Sequence, residues 1–378
     1  MRTFAKIITV FCLTLFSLTA FAELPSFNMT PGVTPISRDI YDLHMTIFFI
    51  CVIIGALVFG VLIYALIKHR KSLGHQAVRF HGNLKVEMTL AILPLLILVA
   101  MAIPATIVLV RMDDSAKSDV TIKVTGYQWY WQYEYLNEGI SFYSRLSTPQ
   151  AQIEGKEKKN KWYLLEVDNP LVVPIHKKIR FLVTAHDVIH AWWVPDFGIK
   201  RDAIPGFIHE AWAKIEKPGI YRGQCAELCG VNHGFMPIVV IAKTEKEYEA
   251  WVQTQTHRHT APAAPVKDLA KTDLMTEGKK IYDQTCAVCH KPDGSGMPPT
   301  FPALKGSGIA IDPAQLKAHI DIVLHGKKGT AMQAFGTQLN DTQIAAVITY
   351  ERNAWGNDSK QNEGSDVVQP KQINALRQ

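Results

Sequence analysis

Two uncharged apolar runs dominate the first third of the chain. Leu43 to Ile67 and Met88 to Val110 are each long enough to cross a bilayer as a helix, and only Pro94 and Pro104 interrupt the second run. The short segment between them is basic, which predicts a cytoplasmic loop. Its positive residues are Lys68, Arg70, Lys71, Arg79 and Lys85. We therefore predict a transmembrane helix hairpin over residues 23–112, with both outer ends across the membrane.

The N-terminus has the pattern of a secretory signal. Basic Arg2 and Lys6 precede an apolar run from Ile7 to Phe21, and the small residue Ala22 follows. A basic start, a short apolar centre and a small-residue exit define a signal peptide, whereas a third membrane helix would be longer. We therefore predict a signal peptide over residues 1–22, and a chain that begins outside the cytoplasm.

The pattern changes to short β-type runs after the hairpin. Residues 113–245 are rich in Val, Ile, Tyr, Trp and Thr, with Gly and Pro between the runs. Such runs read as strands, and several of them separated by turns predict a Greek-key β-sandwich. The runs we expect to be strands are 120–125, 162–168, 179–185 and 238–242.

The last third is predicted to be helical. Residues 246–270 contain Thr, His, Ala and Pro, which are typical of a linker. A second all-α domain is expected over residues 271–357, with a closing helix from Asp341 to Asn353. The polar residues 358–378 predict a disordered tail.

One twelve-residue segment concentrates soft metal donors. It reads Cys225-Ala-Glu-Leu-Cys229-Gly-Val-Asn-His233-Gly-Phe-Met236. Thiolate, thioether and imidazole together favour copper. Two cysteines can bridge two coppers that share one electron, which predicts an electron carrier. A disulfide or a zinc site would leave Met236 and a histidine far upstream unexplained.

A second imidazole has to come from another segment. His186 and His190 are the candidates, and His190 is favoured because it follows an apolar pair and precedes aromatic residues that can exclude water. Earlier in the chain, Trp129, Trp131, Tyr133 and Tyr135 would share one face of a strand. Core packing explains part of this run, and a docking platform for electron entry is the second interpretation.

A second redox motif lies in the helical region. Cys286-Ala-Val-Cys289-His290 predicts covalent haem attachment, with His290 as the proximal ligand. A thioredoxin-like dithiol would need a βαβ context, which the pattern does not show. A methionine is expected as the sixth ligand of an electron carrier. Met332 is favoured over Met297, which is too close to His290, and over Met275.

Together these motifs resemble subunit II of a haem-copper cytochrome c oxidase, with a fused C-terminal class I cytochrome c domain. The resemblance covers the hairpin, the sandwich and the segments Asp187 to Trp192, Gly198 to Gly206 and Cys225 to Met236. It implies a multidomain membrane protein with a two-helix hairpin, a cupredoxin sandwich at 113–245 holding dinuclear copper A, and the all-α cytochrome c domain at 271–357.

The resemblance also implies roles for individual residues. The copper ligands would be His190, Cys225, Cys229, His233 and Met236, with the backbone carbonyl of Glu227. Trp129 would be the electron-entry residue, and Glu87 would lie at the mouth of a proton pathway. The Glu227 side chain would reach a magnesium ion at the boundary with subunit I, which the stretch around Asp202 would line.

The resemblance implies a bacterial inner-membrane protein with both termini in the periplasm. Its partners would be oxidase subunits I and III, membrane lipid, and a periplasmic donor such as a cytochrome c or a bc1 complex. An intact copper ligand set argues against a quinol oxidase, and no propeller domain of a nitrous oxide reductase is present. A copper A and haem c subunit of a nitric oxide reductase is the alternative.

Charge does not change this picture. The formal net charge is +6, but basic residues are spread among loops rather than gathered in a stripe with aromatic residues. The sequence therefore predicts no nucleic-acid partner.

Overall fold

The computed structural model describes residues 28–74, 82–260, 268–328, 330, 332–336, 338–358 and 366–377. The predicted signal peptide at 1–22 lies outside these residues. Within them, the chain forms a helical hairpin, a two-sheet β-sandwich and a C-terminal group of helices. The fold class therefore matches the sequence prediction.

Two long helices form the hairpin. α1 (Pro35–Lys68) and α2 (Leu84–Asp113) both exceed the predicted apolar runs. Their apolar stretches are long enough to span a membrane and are not buried within the chain, so lipid or other subunits must cover them. The protein is therefore a membrane protein. Asn83 caps the start of α2, because its side chain accepts hydrogen bonds from the N–H groups of Lys85 and Val86.

The sandwich is attached to the hairpin where the two helices leave the apolar region. The hydroxyl of Thr34, just before α1, donates to the carbonyl of Phe197 over 2.9 Å. At the other end, the indole of Trp212 donates to the carbonyl of Arg111 over 3.0 Å. These contacts fix the sandwich directly above one end of the hairpin.

Two five-stranded sheets make up the sandwich. The strands are β1 (Val120–Tyr127), β2 (Tyr130–Tyr135), β3 (Ile140–Ser144), β4 (Leu171–Pro174), β5 (Lys178–Ala185), β6 (His190–Val194), β7 (Ile199–Ala203), β8 (His209–Lys214), β9 (Gly219–Cys225) and β10 (Ile238–Lys243). The first sheet has the order β3-β2-β1-β5-β8 and the second β4-β10-β9-β6-β7. The parallel pairs β1–β5 and β4–β10 show that the chain crosses over between neighbouring strands, as in a Greek key.

One predicted strand is wrong. Residues 162–168 form turns, and only Val167 makes an isolated bridge, to Leu146. Leu164 adopts a positive φ of 59°, which a strand does not allow. The hydroxyl of Thr148 accepts a hydrogen bond from the N–H of Leu164. Local hydrogen bonding therefore overrides the apolar pattern of this stretch.

Short helices build the C-terminal domain. α3 (Gln150–Ile153) lies within the sandwich, and α4 (Glu245–Thr260) follows it. The others are α5 (Lys271–Ile281), α6 (Ala287–His290), α7 (Gly308–Ile311), α8 (Leu316–His325), α9 (Asp341–Asn353) and α10 (Pro370–Leu376). α5 crosses α9 closely, since a Cβ atom at Gly278 would lie 2.1 Å from the carbonyl oxygen of Ala346.

Two segments are more ordered than the sequence predicts. The first half of the predicted linker at 246–270 belongs to α4, where Trp251 packs on Tyr135 of the sandwich. In the predicted disordered tail at 358–378, α10 buries Ile373 completely. Both segments are mostly polar but carry apolar side chains that pack against a hydrophobic core. This packing explains why α4 and α10 are ordered. The domain boundaries themselves remain predictions.

Candidate metal and haem sites

The first candidate site lies at one end of the sandwich, where β6 and the loop between β9 and β10 meet. The side-chain ligand atoms of His190, Cys225 and Cys229 are buried and lie within 4.8 Å of one another, and the described residues contain no other such cluster. Cys225 ends β9, and His190 begins β6 beside it. Gly126 makes room for this imidazole, since a Cβ atom there would lie 2.8 Å from its Cδ2.

The remaining predicted copper ligands surround the two sulfurs. Cys225 Sγ and Cys229 Sγ are 3.8 Å apart, far beyond the roughly 2.05 Å of a disulfide. His190 Nδ1 lies 3.9 Å from Cys225 Sγ, and the carbonyl oxygen of Glu227 lies 3.3 Å from the same sulfur. On the other side, His233 Nδ1 and Met236 Sδ are 3.4 and 3.5 Å from Cys229 Sγ.

This arrangement fits a dinuclear copper centre by its chemistry. Two sulfurs occupy the middle, and each has one imidazole and one weak donor on its outer side. Two thiolates, two imidazoles and a thioether form a set that favours copper over harder metals. His186, the competing histidine, instead stacks on Tyr127 with ring centroids 4.8 Å apart.

Neighbouring groups set the protonation of the ligands. The hydrogen bond between the two thiols lowers the pKa of Cys225 to about 4 and raises that of Cys229, because the second proton must leave beside a negative charge. His190 Nε2 is 2.9 Å from Asp187 Oδ1. Burial disfavours a charged His190, but hydrogen bonds with Asp187 and Cys225 outweigh burial and raise its pKa. Asp187 thus holds the ring with Nδ1 towards the sulfurs.

The second candidate site is a cavity of about 960 Å³ between the C-terminal domain and the sandwich, whose Trp129 and Asn232 also line it. Cys286, Cys289, His290 and Met332 all line it. His290 Nδ1 is 2.8 Å from the carbonyl oxygen of Pro302, so Nε2 is left for a metal. Neither Met297 nor Met275 lines this cavity.

The two cavity cysteines differ chemically from the copper pair. Burial raises the pKa of Cys289 to about 11 and that of Cys286 well above its usual range. Their surroundings therefore disfavour thiolates and suit neutral thioether links to a haem. The cavity, the oriented imidazole and the methionine together fit a covalently attached haem, which His290 and Met332 would help to hold.

Trp129 lies between the two sites. Its indole N–H donates to the carbonyl of Cys229 over 3.1 Å, and its ring meets Phe301 of the C-terminal domain edge-on, with centroids 6.2 Å apart. It precedes β2, whereas Trp131, Tyr133 and Tyr135 are buried on one face of that strand in the sandwich core. Val288 and Cys289 also pack against this core, so the haem motif contacts the copper domain.

Comparison with known proteins identifies related families for all three parts of the chain. Sequence profiles match for the cytochrome C oxidase subunit II transmembrane domain at 22–108 and its periplasmic domain at 120–243. A profile for subunit III of cbb3-type cytochrome C oxidase matches 273–350. The probable cytochrome c oxidase subunit 2 of Rickettsia bellii is 35% identical over 253 residues, which cover 66% of this chain and 93% of the relative.

The chain belongs to the cytochrome c oxidase subunit II family.

The chain is also similar to other members of the family. Cytochrome c oxidase subunit 2 of Cereibacter sphaeroides is 38% identical over 237 residues, covering 59% of this chain and 78% of the relative. The solved periplasmic domain of subunit II from Bradyrhizobium japonicum is 45% identical, with a TM-score of 0.34, and covers 38% of this chain and 98% of that one. The family implies copper A in the sandwich, and the fused cytochrome c domain implies haem.

The structure places the remaining predicted residues outside these two sites. Glu87 lies in the first turn of α2, where its carboxylate accepts a hydrogen bond from the N–H of Asn83 over 3.2 Å. This contact completes a helix cap. The side chains of Glu227 and Asp202 are exposed on the surface of the subunit II chain.

Sequence reasoning missed three supporting residues. Asp187 orients His190, and its spacing of three residues before a ligand histidine is a usable signal. Pro302 and Asn232 carry no such signal, because their partners are distant in sequence. The Pro302 carbonyl orients His290, and the Asn232 amide donates to the carbonyl of Val288.

Proposed function

We propose that this subunit II is the electron-entry subunit of a proton-translocating cytochrome c oxidase. Electrons would pass from a periplasmic donor to haem c, then to copper A, and then to the haem and copper of subunit I, where oxygen is reduced to water. The observation that carries the proposal is the direct contact between the two sites: Val288, Cys289 and Phe301 pack against the copper domain.

Each redox centre supplies a one-electron carrier when it is bound, and the chain's residues hold these carriers. His190, Cys225, Cys229, His233 and Met236, with the Glu227 carbonyl, would bind the copper pair. In the cytochrome domain, Cys286 and Cys289 would attach the haem, and His290 and Met332 would bind its iron. His190, Cys225, Cys229 and Met236 are buried, which would limit the contact of the copper pair with water.

We also propose the orientation of the chain. The basic segment between α1 and α2 would face the cytoplasm of a bacterium, and both folded domains would lie in the periplasm. The uncovered surfaces of α1 and α2 would contact subunits I and III and membrane lipid. Cytochrome c or a bc1 complex would supply the electrons.

Two further roles rest on the family. The exposed Glu227 carboxylate would reach magnesium at the subunit I boundary near Asp202, and Glu87 would begin a proton pathway. For Glu87 we expect Glu87→Ala to lower turnover of the assembled oxidase, while Asn83→Ala, which removes only the cap, leaves turnover close to that of the parent. Equal turnover in both variants would rule out the proton role.

The proposed function is tested on the full chain, matured with haem and copper. Metal analysis should find two coppers and one haem, and electron paramagnetic resonance should show one electron shared by two copper nuclei. Cys229→Ser should abolish this signal and keep the haem spectrum. One copper, or zinc, in the parent chain would contradict the proposal.

A further inference from the structure

One hydrogen bond joins the segments that carry the two sets of ligands. The side-chain amide of Asn232 donates to the backbone carbonyl of Val288 over 3.1 Å. Asn232 directly precedes the predicted copper ligand His233, and Val288 directly precedes the haem-attaching Cys289. Asn232 also lines the haem cavity. The bond therefore runs from the residue beside one centre to the residue beside the other.

The position of Asn232 directs its amide across the interface. It begins the short 3-10 turn His233–Phe235, and its backbone carbonyl accepts from the N–H of Phe235 over 2.8 Å. Its side chain makes no capping bond to that turn. The backbone thus fixes the residue within the copper loop, and the amide group is free to bind the cytochrome domain.

Trp129 offers another contact between the domains, and the described residues give it no hydrogen bond on the haem side. Its indole donates to the carbonyl of Cys229 on the copper side. On the haem side Trp129 lines the haem cavity, and its ring meets Phe301 edge-on with centroids 6.2 Å apart. Electronic coupling decays more steeply across a non-bonded gap than along covalent and hydrogen bonds. The route through Asn232 contains no non-bonded gap between the backbone of Cys289 and the backbone of His233.

We propose that the Asn232 amide couples haem c to copper A, as a positioning residue in the electron path. This inference rests on the proposed function. In the step concerned, ferrous haem c loses one electron and becomes ferric, and the mixed-valence copper pair gains that electron and becomes fully reduced. No proton and no further reactant is needed.

The test compares variants of the full chain, loaded with haem and copper. Asn232→Ala removes the amide, and Asn232→Leu replaces it with an apolar group of similar size. The matched control is Gln338→Ala, which also removes hydrogen bonds between the domains: the Gln338 amide donates to the Tyr130 hydroxyl over 2.9 Å and its oxygen accepts from Arg145. Gln338 does not line the haem cavity.

Internal electron transfer is measured after flash reduction of the haem. Both Asn232 variants should lower the rate of internal electron transfer by about tenfold, because small losses of contact at a reacting geometry have large effects. Gln338→Ala should leave this rate within about twofold of the parent. Redox potentials and spectra of both centres should be unchanged. Hydrogen exchange of residues 286–290 should rise by similar amounts in all three variants, which reports the loss of an interdomain contact.

The remaining outcomes are distinct. A parent-like rate in Asn232→Ala or Asn232→Leu would overturn the role of the amide and leave the proposed function intact. Equal slowing in Gln338→Ala would also overturn it, since docking alone would then set the rate. A parent chain that shows both centres but no internal transfer would contradict the proposed function itself.

Discussion

Cys225 and Cys229 have the same side chain, but the pKa of the first is lowered and the pKa of the second is raised. Their sulfurs share a hydrogen bond over 3.8 Å, so the first proton is lost easily and the second is held. Copper requires both thiolates, because thiols must be deprotonated to bind metal. Metal binding must therefore displace the proton that Cys229 retains. At neutral pH the thiol of Cys229 therefore keeps its proton until copper binds.

This acidity difference predicts a pH dependence of copper loading. Copper affinity of the copper-free chain should rise with pH over the neutral range, by about tenfold per unit for each proton displaced. The sign follows from the raised pKa of Cys229, since a higher pH lowers the cost of removing its proton. Chelator competition at several pH values measures the slope. An affinity independent of pH would contradict the retained proton.

Met332 allows a test of the haem ligation. Replacing Met332 with His should lower the haem reduction potential, by on the order of 0.2 V, because a thioether ligand favours the reduced iron. Met297→Leu is the matched control, since Met297 does not line the cavity. A redox titration of the full chain followed by absorbance measures both. A lowered potential in the control alone would assign the ligand to Met297.

At the scale of elements, α8 and α9 are joined by a buried polar pair. His319 Nε2 lies 2.8 Å from Glu351 Oε2, both side chains are buried, and both line the haem cavity. Breaking such a pair leaves one polar group buried without its partner, which costs more than replacing both. The pair therefore fixes how these two helices meet beside Cys286.

For this pair we expect a single substitution to lower the free energy of unfolding of the cytochrome domain more than a double substitution does. Glu351→Ala should destabilise the cytochrome domain by about 3 kcal/mol. His319→Leu combined with Glu351→Leu should recover most of that loss, because no buried polar group is then left unpaired. Guanidinium unfolding followed by the haem absorbance gives both free energies. A double variant that is less stable than the single one would refute the argument.

The elements also show how far the sequence is informative. α9 has the predicted bounds Asp341–Asn353, because its apolar spacing and its Asn340 cap are local signals. The copper loop is equally local, since four of the predicted side-chain ligands lie within twelve residues. The turns at 162–168 and the helix α10 were mispredicted, because a hydroxyl from Thr148 and a core distant in sequence decide them. Contacts such as Asn232 to Val288 depend on the docking of two domains, which no local pattern encodes.

At the scale of the whole molecule, the segment 261–267 joins α4 to the cytochrome domain. A short connection holds the two domains at an effective concentration on the order of millimolar, so docking need not limit turnover. We expect a protease site inserted near Pro262 to leave electron transfer unchanged until cleavage. After cleavage the rate should fall on dilution and recover when cytochrome domain is added. A rate unaffected by dilution would show that the interface alone holds the domains together.

The burial of Trp129 has a consequence for how this protein can change over evolutionary time. Only 6% of its surface is exposed, and Phe301 of the cytochrome domain packs edge-on against it. Under the proposed function this tryptophan would be shielded from external proteins, and the outward surface of the cytochrome domain would select the donor. Mutations there can alter which proteins are recognised while the copper loop stays untouched. Recognition and metal chemistry become separately heritable traits within a single polypeptide.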